Sequence, residues 1–412
     1  MIHLPQFFAL ATLEDGRTVI TKLPGYSDMP WTAISPIQPE PMKVCSSLSE
    51  SRYANVLAAL TYDDRILISC CESGPEFEDV TPAIRILTGS DTTSIRDICV
   101  VGGYVIFWTD FSIGLVDWRI DSEFSYGCMF HSEIDRVWVD DRRCIVRTKD
   151  NRIFAVSNTK LTIPPECQLA SELGKPFTLE NKSEITFHDV EGIAEVYGSA
   201  SWILFLMKDG SVYGCDCEGY LDHKPFTRVP IPEGEIVTKI VNTQSHVVYI
   251  TTSNNYYMRH VTQKGDWAIE PTLMQKLSSY VVENILAGPR CSIIVQYRDP
   301  QEQSMDTGPL PLCTCIIRST YNSSCEGELE PISFHCADQL KPLPSLSNKI
   351  IASIIHRGYL TCFITDDGAV FWSHFMHNYK PVAISDPFFD TNPLAALPSA
   401  RIRSTHSMLN DA

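Results

Sequence analysis

One hairpin pattern recurs along the chain and constrains the fold more than any other feature of the sequence. Each copy has a short apolar or β-branched stretch, a turn containing Asp-Gly or related residues, and a second apolar stretch. The clearest copies are residues 202–213, which turn at Asp209-Gly210, and residues 359–372, which turn at Asp367-Gly368. Because almost no segment has apolar residues at helical spacing, the pattern predicts an all-β protein.

The hairpins recur at fairly regular intervals, which predicts a repeat architecture. Their turn residues are Asp15, Asp63, Asp110, Asp150, Asp209, Asn254, Asp299 and Asp367. The intervals between these residues are 48, 47, 40, 59, 45, 45 and 68. A period near this length, with insertions, is typical of β-propeller blades. Short apolar segments before and after the hairpins, such as 236–241 and 226–231, are expected to complete four antiparallel strands per blade.

The two ends of the chain are expected to close the ring together. We assign residues 1–385 to the propeller and residues 386–412 to a C-terminal segment that is part tail and part closing strand. The first hairpin begins at Phe7, which leaves little room for a preceding strand. Residues 400–404 are therefore expected to supply that strand, so that N-terminal and C-terminal strands share one blade.

A specific family resemblance appears at the fifth hairpin. Residues 209–222 resemble the regulator-of-chromosome-condensation repeat, in which an apolar strand is followed by Asp-Gly, Val-Tyr and a glycine-rich turn. After Asp209-Gly210 and Val212-Tyr213, the positions in register are Gly214, Asp216, Gly219 and Leu221. Tyr220 and Asp222 depart from the repeat. The resemblance implies a propeller of seven blades, whereas eight hairpins are present, so we expect seven or eight blades. The rival tryptophan-aspartate repeat has no signature in register.

Composition narrows the classes of partner. The 412 residues include 33 Lys and Arg against 50 Asp and Glu, which gives a net charge of −17. Without a basic cluster we expect no nucleic-acid binding, since phosphate neutralisation requires grouped cations. No apolar run approaches the roughly 20 residues of a membrane-spanning helix, so no membrane span is expected. The 15 cysteines lie mostly in apolar strands, which favours reduced thiols and a cytoplasmic or nuclear location.

The sequence lacks the common motifs of catalysis and cofactor binding. It has no glycine-rich phosphate loop, no Gly-x-Ser-x-Gly elbow and no His-Glu-x-x-His helix. His246 and His356 lie in strand-like segments and are expected to be core residues. The spacings Cys215-x-Cys217 and Cys313-x-Cys315 do not match structural zinc modules. We therefore predict that the protein is not an enzyme and holds neither a cofactor nor a metal.

Loops are the candidate partner-binding sites, because a rigid scaffold presents binding residues on its connections. The segments considered are an acidic loop over 72–79, the long connections 158–187, 299–311 and 321–347, and a Phe-Phe pair near the end. The candidate residues are Glu72, Glu76, Phe77, Glu78, Asp79, Asp306, Glu326, Glu328, Phe388 and Phe389. The alternative is that each loop is a solvated connector and that the two phenylalanines pack under the last blade.

These observations predict a protein-interaction scaffold or a subunit of a complex. The family resemblance implies an alternative, guanine-nucleotide exchange on a small GTPase, because the founding member acts on the nuclear-transport GTPase. In that member a wedge from the propeller opens the nucleotide site, and no residue of this sequence can be matched to the wedge. An enzyme with a central pocket is a third hypothesis. The fold alone does not choose among them.

Overall fold

The computed structural model is built almost entirely from β-strands, which confirms the predicted all-β class. The structure describes residues 2–3, 8–12, 18–22, 32–33, 41–46, 56–70, 77–82, 94–101, 104–117, 124–139, 143–157, 182–199, 201–217, 223–243, 246–261, 267–287, 293–302, 310–317, 341–357, 360–366, 370–374 and 382–383. Over these residues the strands form eight four-stranded antiparallel sheets. In every sheet the strand order follows the chain, as in a meander.

The first four sheets contain sixteen strands. Their bounds are β1 Ile2–His3, β2 Phe8–Thr12, β3 Thr18–Lys22, β4 Thr32–Ala33, β5 Pro41–Ser46, β6 Val56–Thr61, β7 Ile66–Cys70, β8 Glu78–Asp79, β9 Asp97–Val101, β10 Tyr104–Trp108, β11 Ser112–Asp117, β12 Phe124–Met129, β13 Ile134–Val139, β14 Arg143–Thr148, β15 Ile153–Ser157 and β16 Lys182–Glu184. The fourth strand of each sheet is often only two or three residues long.

The other four sheets repeat this plan. Their bounds are β17 Ile193–Ser199, β18 Trp202–Met207, β19 Val212–Asp216, β20 Thr227–Arg228, β21 Val237–Asn242, β22 His246–Thr251, β23 Tyr256–His260, β24 Thr272–Leu273, β25 Val281–Ala287, β26 Ile293–Arg298, β27 Cys313–Ile317, β28 Lys341–Pro342, β29 Ile351–Arg357, β30 Leu360–Thr365, β31 Val370–His374 and β32 Val382–Ala383. A short α-helix covers Gln275–Ser278, and 3₁₀ turns cover Pro300–Glu302 and Pro344–Leu346.

By its contacts the chain divides into two compact units. The described residues of the first unit fall within Met1–Phe205 and Gly214–Phe226. Those of the second unit fall within Leu206–Tyr213 and Thr227–Thr391.

Within the first unit, sheets pack face to face because their middle strands are apolar on both sides. On β10, Phe107 packs with Leu60 and Ile66 of the preceding sheet. Its neighbour Ile106 points the other way and packs with Val146 and Phe154 of the following sheet. Successive side chains of a strand alternate between its faces, so a strand with apolar residues at every position must be covered on both.

The second unit follows the same rule. Val295 of β26 packs with Val248 and Met258 of the sheet before it. Ile294 of the same strand packs with Phe363 of the sheet after it. Three sheets, β21–β24, β25–β28 and β29–β32, are therefore stacked in succession within this unit.

The predicted hairpins are confirmed, and four of their turns share one geometry. In the β6–β7 turn, the Thr61 N–H donates to the Arg65 carbonyl at 2.9 Å and the Asp64 N–H donates to the Thr61 carbonyl at 3.1 Å. The residue two positions before the second strand has a positive φ, as expected for a type I turn followed by a left-handed residue. The four residues at that position are Asp64, Asn151, Gly210 and Asn254.

One expectation about the first sheet is wrong. The segment before the first hairpin does contain a strand, since Ile2 pairs with Ala11 and His3 pairs with Leu10. A two-residue strand needs so little chain that the few residues before Phe8 suffice. Strands β1 to β4 therefore form a complete four-stranded sheet, and no strand from the C-terminal end of the chain is needed to complete it. Residues 400–404, assigned to a closing strand, lie outside the described residues, and closure of a ring stays a prediction.

Gly210 is a turn residue at which a side chain has little room. Its φ is +80°, and a Cβ placed there would lie 2.3 Å from Ile236 Cγ2 and 2.9 Å from the Val237 carbonyl oxygen. We expect Gly210→Ala to destabilise the protein by about 2 to 3 kcal/mol, through backbone strain and the displaced neighbours. Urea unfolding measures the change.

Gly234 provides the matched control for this prediction. It also has a positive φ, +87°, but a Cβ there would meet nothing within 4 Å. Gly234→Ala should cost only the backbone term, about 1 to 2 kcal/mol. Equal losses in the two variants would show that the close approach at Gly210 is unimportant.

Candidate partner-binding surface

The described part of the acidic loop lies at the edge of a sheet. Phe77 is half-buried, whereas Glu78 and Asp79 are exposed and form the last strand of their sheet, β8. Asp79 accepts a hydrogen bond from the Thr81 N–H at 2.9 Å. The other candidates, Glu72, Glu76, Asp306, Glu326, Glu328, Phe388 and Phe389, lie outside the described residues. Partner binding by any of these side chains stays a prediction.

Arg65 connects this edge to the turn of the β6–β7 hairpin. Its guanidinium lies 3.8 Å from an Asp79 carboxylate oxygen and 2.9 Å from a carboxylate oxygen of Asp63. The Thr61 hydroxyl donates to the other oxygen of Asp63 at 2.6 Å. This hydrogen bond is the main reason that the pKa of Asp63 is below its ordinary value. Tyr62, which lies between Thr61 and Asp63 in the sequence, is 71% exposed.

The same turn is linked to the next two hairpins of the first unit. The Ser94 hydroxyl, three residues before strand β9, donates to Asp64 at 3.1 Å. Two residues later, Arg96 forms an ion pair with Asp110 in the β10–β11 turn and donates to Glu133 at 2.6 Å. Lys149, in the β14–β15 turn, lies 2.7 Å from Glu133.

We call this set the tip row. Its members are Tyr62, Asp63, Asp64, Ser94, Arg96, Asp110, Phe111, Glu133 and Lys149. The row joins three hairpin turns that are far apart in sequence. Ion pairs hold the pKa of Glu133 below its ordinary value, through the hydrogen bond from Lys149 first and that from Arg96 second.

Large apolar side chains stand beside these charges. Phe111, in the β10–β11 turn, is 47% exposed, and Met129 is 53% exposed. The Phe130 N–H donates to the Phe111 carbonyl at 2.8 Å, which holds the end of β12 against this turn. Exposed aromatic residues surrounded by charged ones, on backbone fixed by hydrogen bonds, are the usual organisation of a protein-binding surface.

A second polar cluster surrounds Trp138, and the sequence reasoning missed it. The indole N–H donates to Glu195 at 3.2 Å, and Arg136 donates to the other oxygen of Glu195 at 2.7 Å. Arg147 lies 2.6 Å from Asp135, with its guanidinium carbon 5.6 Å from the indole centroid. Arg136 and Trp138 belong to β13, whereas Glu195 belongs to β17, so these hydrogen bonds join two neighbouring sheets.

The described thiols have the properties of core residues. Burial raises the pKa of Cys99 to about 11. The pKa of Cys215 is also raised, first by its hydrogen bond with Cys217 and then by burial. Thiols in this state are poor nucleophiles at neutral pH. Seven cysteines with described side chains take part in no disulfide bond, namely Cys99, Cys128, Cys144, Cys215, Cys217, Cys313 and Cys315.

Among the described side chains, no three His, Cys, Asp or Glu residues gather as a metal site. His246 is 2% exposed and lies inside the core. The described part of the chain also has no helix that is long and apolar enough to cross a membrane.

Comparisons with known proteins give distant likenesses only. No protein-family model and no curated protein sequence matches the chain. Among solved structures, yeast RCC1 (Prp20), crystallised with Kap60, is 8% identical over 85% of this chain and 76% of that one, with a TM-score of 0.42. Human WBSCR16 is 11% identical over 72% and 83%, with a TM-score of 0.41. BamB from Moraxella catarrhalis is 11% identical over 84% and 89%, with a TM-score of 0.38. Similarity at this level assigns neither a family nor a function.

The lowered pKa values of the tip row predict a loss of stability in acid. A carboxylate whose pKa is lower in the folded state stabilises the fold above its ordinary pKa, and this contribution disappears as the pH falls through the folded pKa. The ordinary values are 3.8 for Asp63 and 4.5 for Glu133. We therefore expect the melting temperature to fall between about pH 5 and about pH 3.

The variant Glu133→Gln distinguishes the contribution of the tip row to this loss of stability from the contribution of the other carboxylates. It should lower the melting temperature at pH 7 and make the fall in acid smaller, as measured by differential scanning calorimetry. Glu270→Gln, in the second unit, is the control and should keep the fall of the wild type. An unchanged acid dependence in Glu133→Gln would contradict the assignment.

Proposed function

We propose that this protein is a non-catalytic β-propeller that binds another protein through the tip row. The four-stranded sheets with two apolar faces support the propeller, and their number supports eight blades. Closure of the eight sheets into a ring is part of this proposal. So is the cytoplasmic or nuclear location predicted from the cysteines. The observation that carries the binding role is the pair of exposed aromatic residues, Tyr62 and Phe111, held on rigid turns among charges.

The physical properties of the row suit a protein partner. Aromatic side chains bring large apolar area at a small cost in conformational entropy, and they often dominate the binding energy. The turns are fixed by backbone hydrogen bonds, so little ordering is required on binding. Charged residues around the aromatic ones are already paired with one another, and such rims set orientation and specificity more than affinity.

Guanine-nucleotide exchange on a small GTPase is the alternative. The repeat resemblance at residues 209–222 is the observation that favours it. Exchange requires a group that enters the nucleotide site of the GTPase, and no described residue has been matched to that role. This function is therefore tested only if a GTPase is found as the partner.

The binding proposal is tested by capture of a partner from the protein's own cells. We expect the tagged wild-type chain to retain one partner in stoichiometric amount, identified by mass spectrometry. The double variant Tyr62→Ser/Phe111→Ser should weaken that partner's binding at least thirtyfold, because each aromatic anchor contributes about 1 to 2 kcal/mol. Titration calorimetry with the purified partner measures the change.

Ile269→Ser removes another exposed apolar side chain, 60% exposed, and should leave binding unchanged. Equal binding by the double variant would exclude the tip row, and the lack of any stoichiometric partner would overturn the scaffold role. If the partner is a small GTPase, release of a fluorescent nucleotide analogue distinguishes exchange from simple binding.

A further inference from the structure

The three residues before β9 connect two hairpin turns of the first unit. Ile95 is 5% exposed and packs with Leu60 and Phe107, so the segment is anchored in the core between two sheets. The Arg96 N–H also donates to the Trp108 carbonyl at 2.8 Å. The side chains on either side of Ile95 therefore project from a fixed backbone.

Ser94 holds the first of these turns. Its hydroxyl donates to the Asp64 carboxylate at 3.1 Å, in the β6–β7 turn. Asp64 has a positive φ, 59°, and lies two residues after Tyr62, the first exposed aromatic residue of the tip row. Backbone hydrogen bonds close the turn itself. The hydrogen bond from Ser94 thus ties the turn that carries Tyr62 to the start of β9.

Arg96 holds the second turn with all three nitrogens of its guanidinium. Nε forms an ion pair with Asp110, Nη2 donates to Glu133 at 2.6 Å and Nη1 donates to the Ile134 carbonyl at 3.0 Å. Asp110 directly precedes Phe111, the second exposed aromatic residue of the tip row. A planar guanidinium has donors in fixed directions and can satisfy three acceptors at once, whereas an ammonium group is a point charge without this geometry.

Stabilisation of the fold is a small part of what these contacts do. The side chains of Arg96, Asp110 and Glu133 are 39%, 50% and 27% exposed. Exposed ion pairs add little to stability, because water and salt screen them. Directional bonds from one anchored segment to two turns do, however, restrict how the turns move relative to each other. Their main effect is therefore on the position of the turns.

We infer that Ser94 and Arg96 form a clasp that fixes the separation of the two aromatic anchors, Tyr62 and Phe111, before a partner binds. The inference rests on the proposed function, since these anchors belong to the tip row, and it assigns a positioning role to two residues that act through the anchors. A site whose anchors are already placed loses less conformational entropy on binding, so its affinity is higher.

Double electron–electron resonance on the full chain measures the separation. Positions 62 and 111 each receive p-acetylphenylalanine, whose ketone is coupled to a nitroxide so that the native cysteines stay unlabelled. We expect one narrow distance distribution when the clasp is intact. Ser94→Ala removes the hydrogen-bond donor, and Arg96→Lys keeps the charge but loses the three-way geometry, so each should broaden the distribution about twofold.

Variants of the same chemistry in the second unit are the controls. Ser211 and Arg298 also donate to carboxylates, but each does so within one sheet and its turns. Ser211→Ala and Arg298→Lys should therefore leave the distribution narrow. Ser94→Thr keeps a hydroxyl and should restore the narrow distribution that Ser94→Ala loses. Thermal unfolding checks that Arg96→Lys is folded, and Ser94→Ala with its rescue by Ser94→Thr decides the result if it is not.

Binding of the stoichiometric cellular partner is the second measurement. Titration calorimetry should show about tenfold weaker binding by Ser94→Ala and by Arg96→Lys, through the added cost of ordering the anchors, and no change in the two controls. Unchanged distance distributions in the clasp variants would overturn the inference, and so would broadened distributions with unchanged affinity. Failure of the proposed function is a different result, the lack of a stoichiometric partner, and the distance distributions test the clasp without any partner.

Discussion

The structure depends on strands that are apolar on both faces. A strand such as β10, with Ile106 and Phe107 side by side, cannot leave either face in water without exposing large apolar groups. Each middle sheet therefore requires a neighbour on both sides, and the stacking of one sheet on the next follows from this requirement. Repeat proteins share this property, since one repeat cannot bury its apolar surface alone.

Polar groups at the ends of the strands make the stacking specific. In the second unit, the buried Gln296 donates to the Lys349 carbonyl at 2.7 Å and accepts from the Ile351 N–H at 2.8 Å. In the first unit, Arg96 donates to the Ile134 carbonyl at 3.0 Å, besides its contacts with carboxylates. Apolar faces alone would tolerate sliding, whereas these directional bonds define how adjacent sheets are aligned.

The residue just before the first strand of a sheet is one structural position that is charged in one unit and aliphatic in the other. Where hairpin turns have the same geometry, the residue just before the first strand of the sheet is hydrogen-bonded to the hairpin turn between the second and third strands. Glu133 and Ile236 are two such residues. A charged residue there forms ion pairs with neighbouring turns and becomes part of the tip row. An aliphatic residue there finds no such partner and stays exposed. Repeats can therefore acquire different surfaces by substitution at a position that hardly affects the core.

The sequence by itself determined the class of the protein and the position of its hairpins, because apolar alternation and Asp-Gly turns are local properties. It did not reveal β1, since a two-residue strand has too short a pattern to recognise, and it indicated the strand Thr227–Arg228 only within a longer segment. Of the candidate binding residues, Phe77, Glu78 and Asp79 belong to the part of the chain that the structure describes, at the edge of a sheet. Only the tertiary structure brought Asp64, Arg96 and Glu133 into one row, because their contacts depend on which sheets are adjacent, and that order is decided by the packing of apolar faces far apart in sequence.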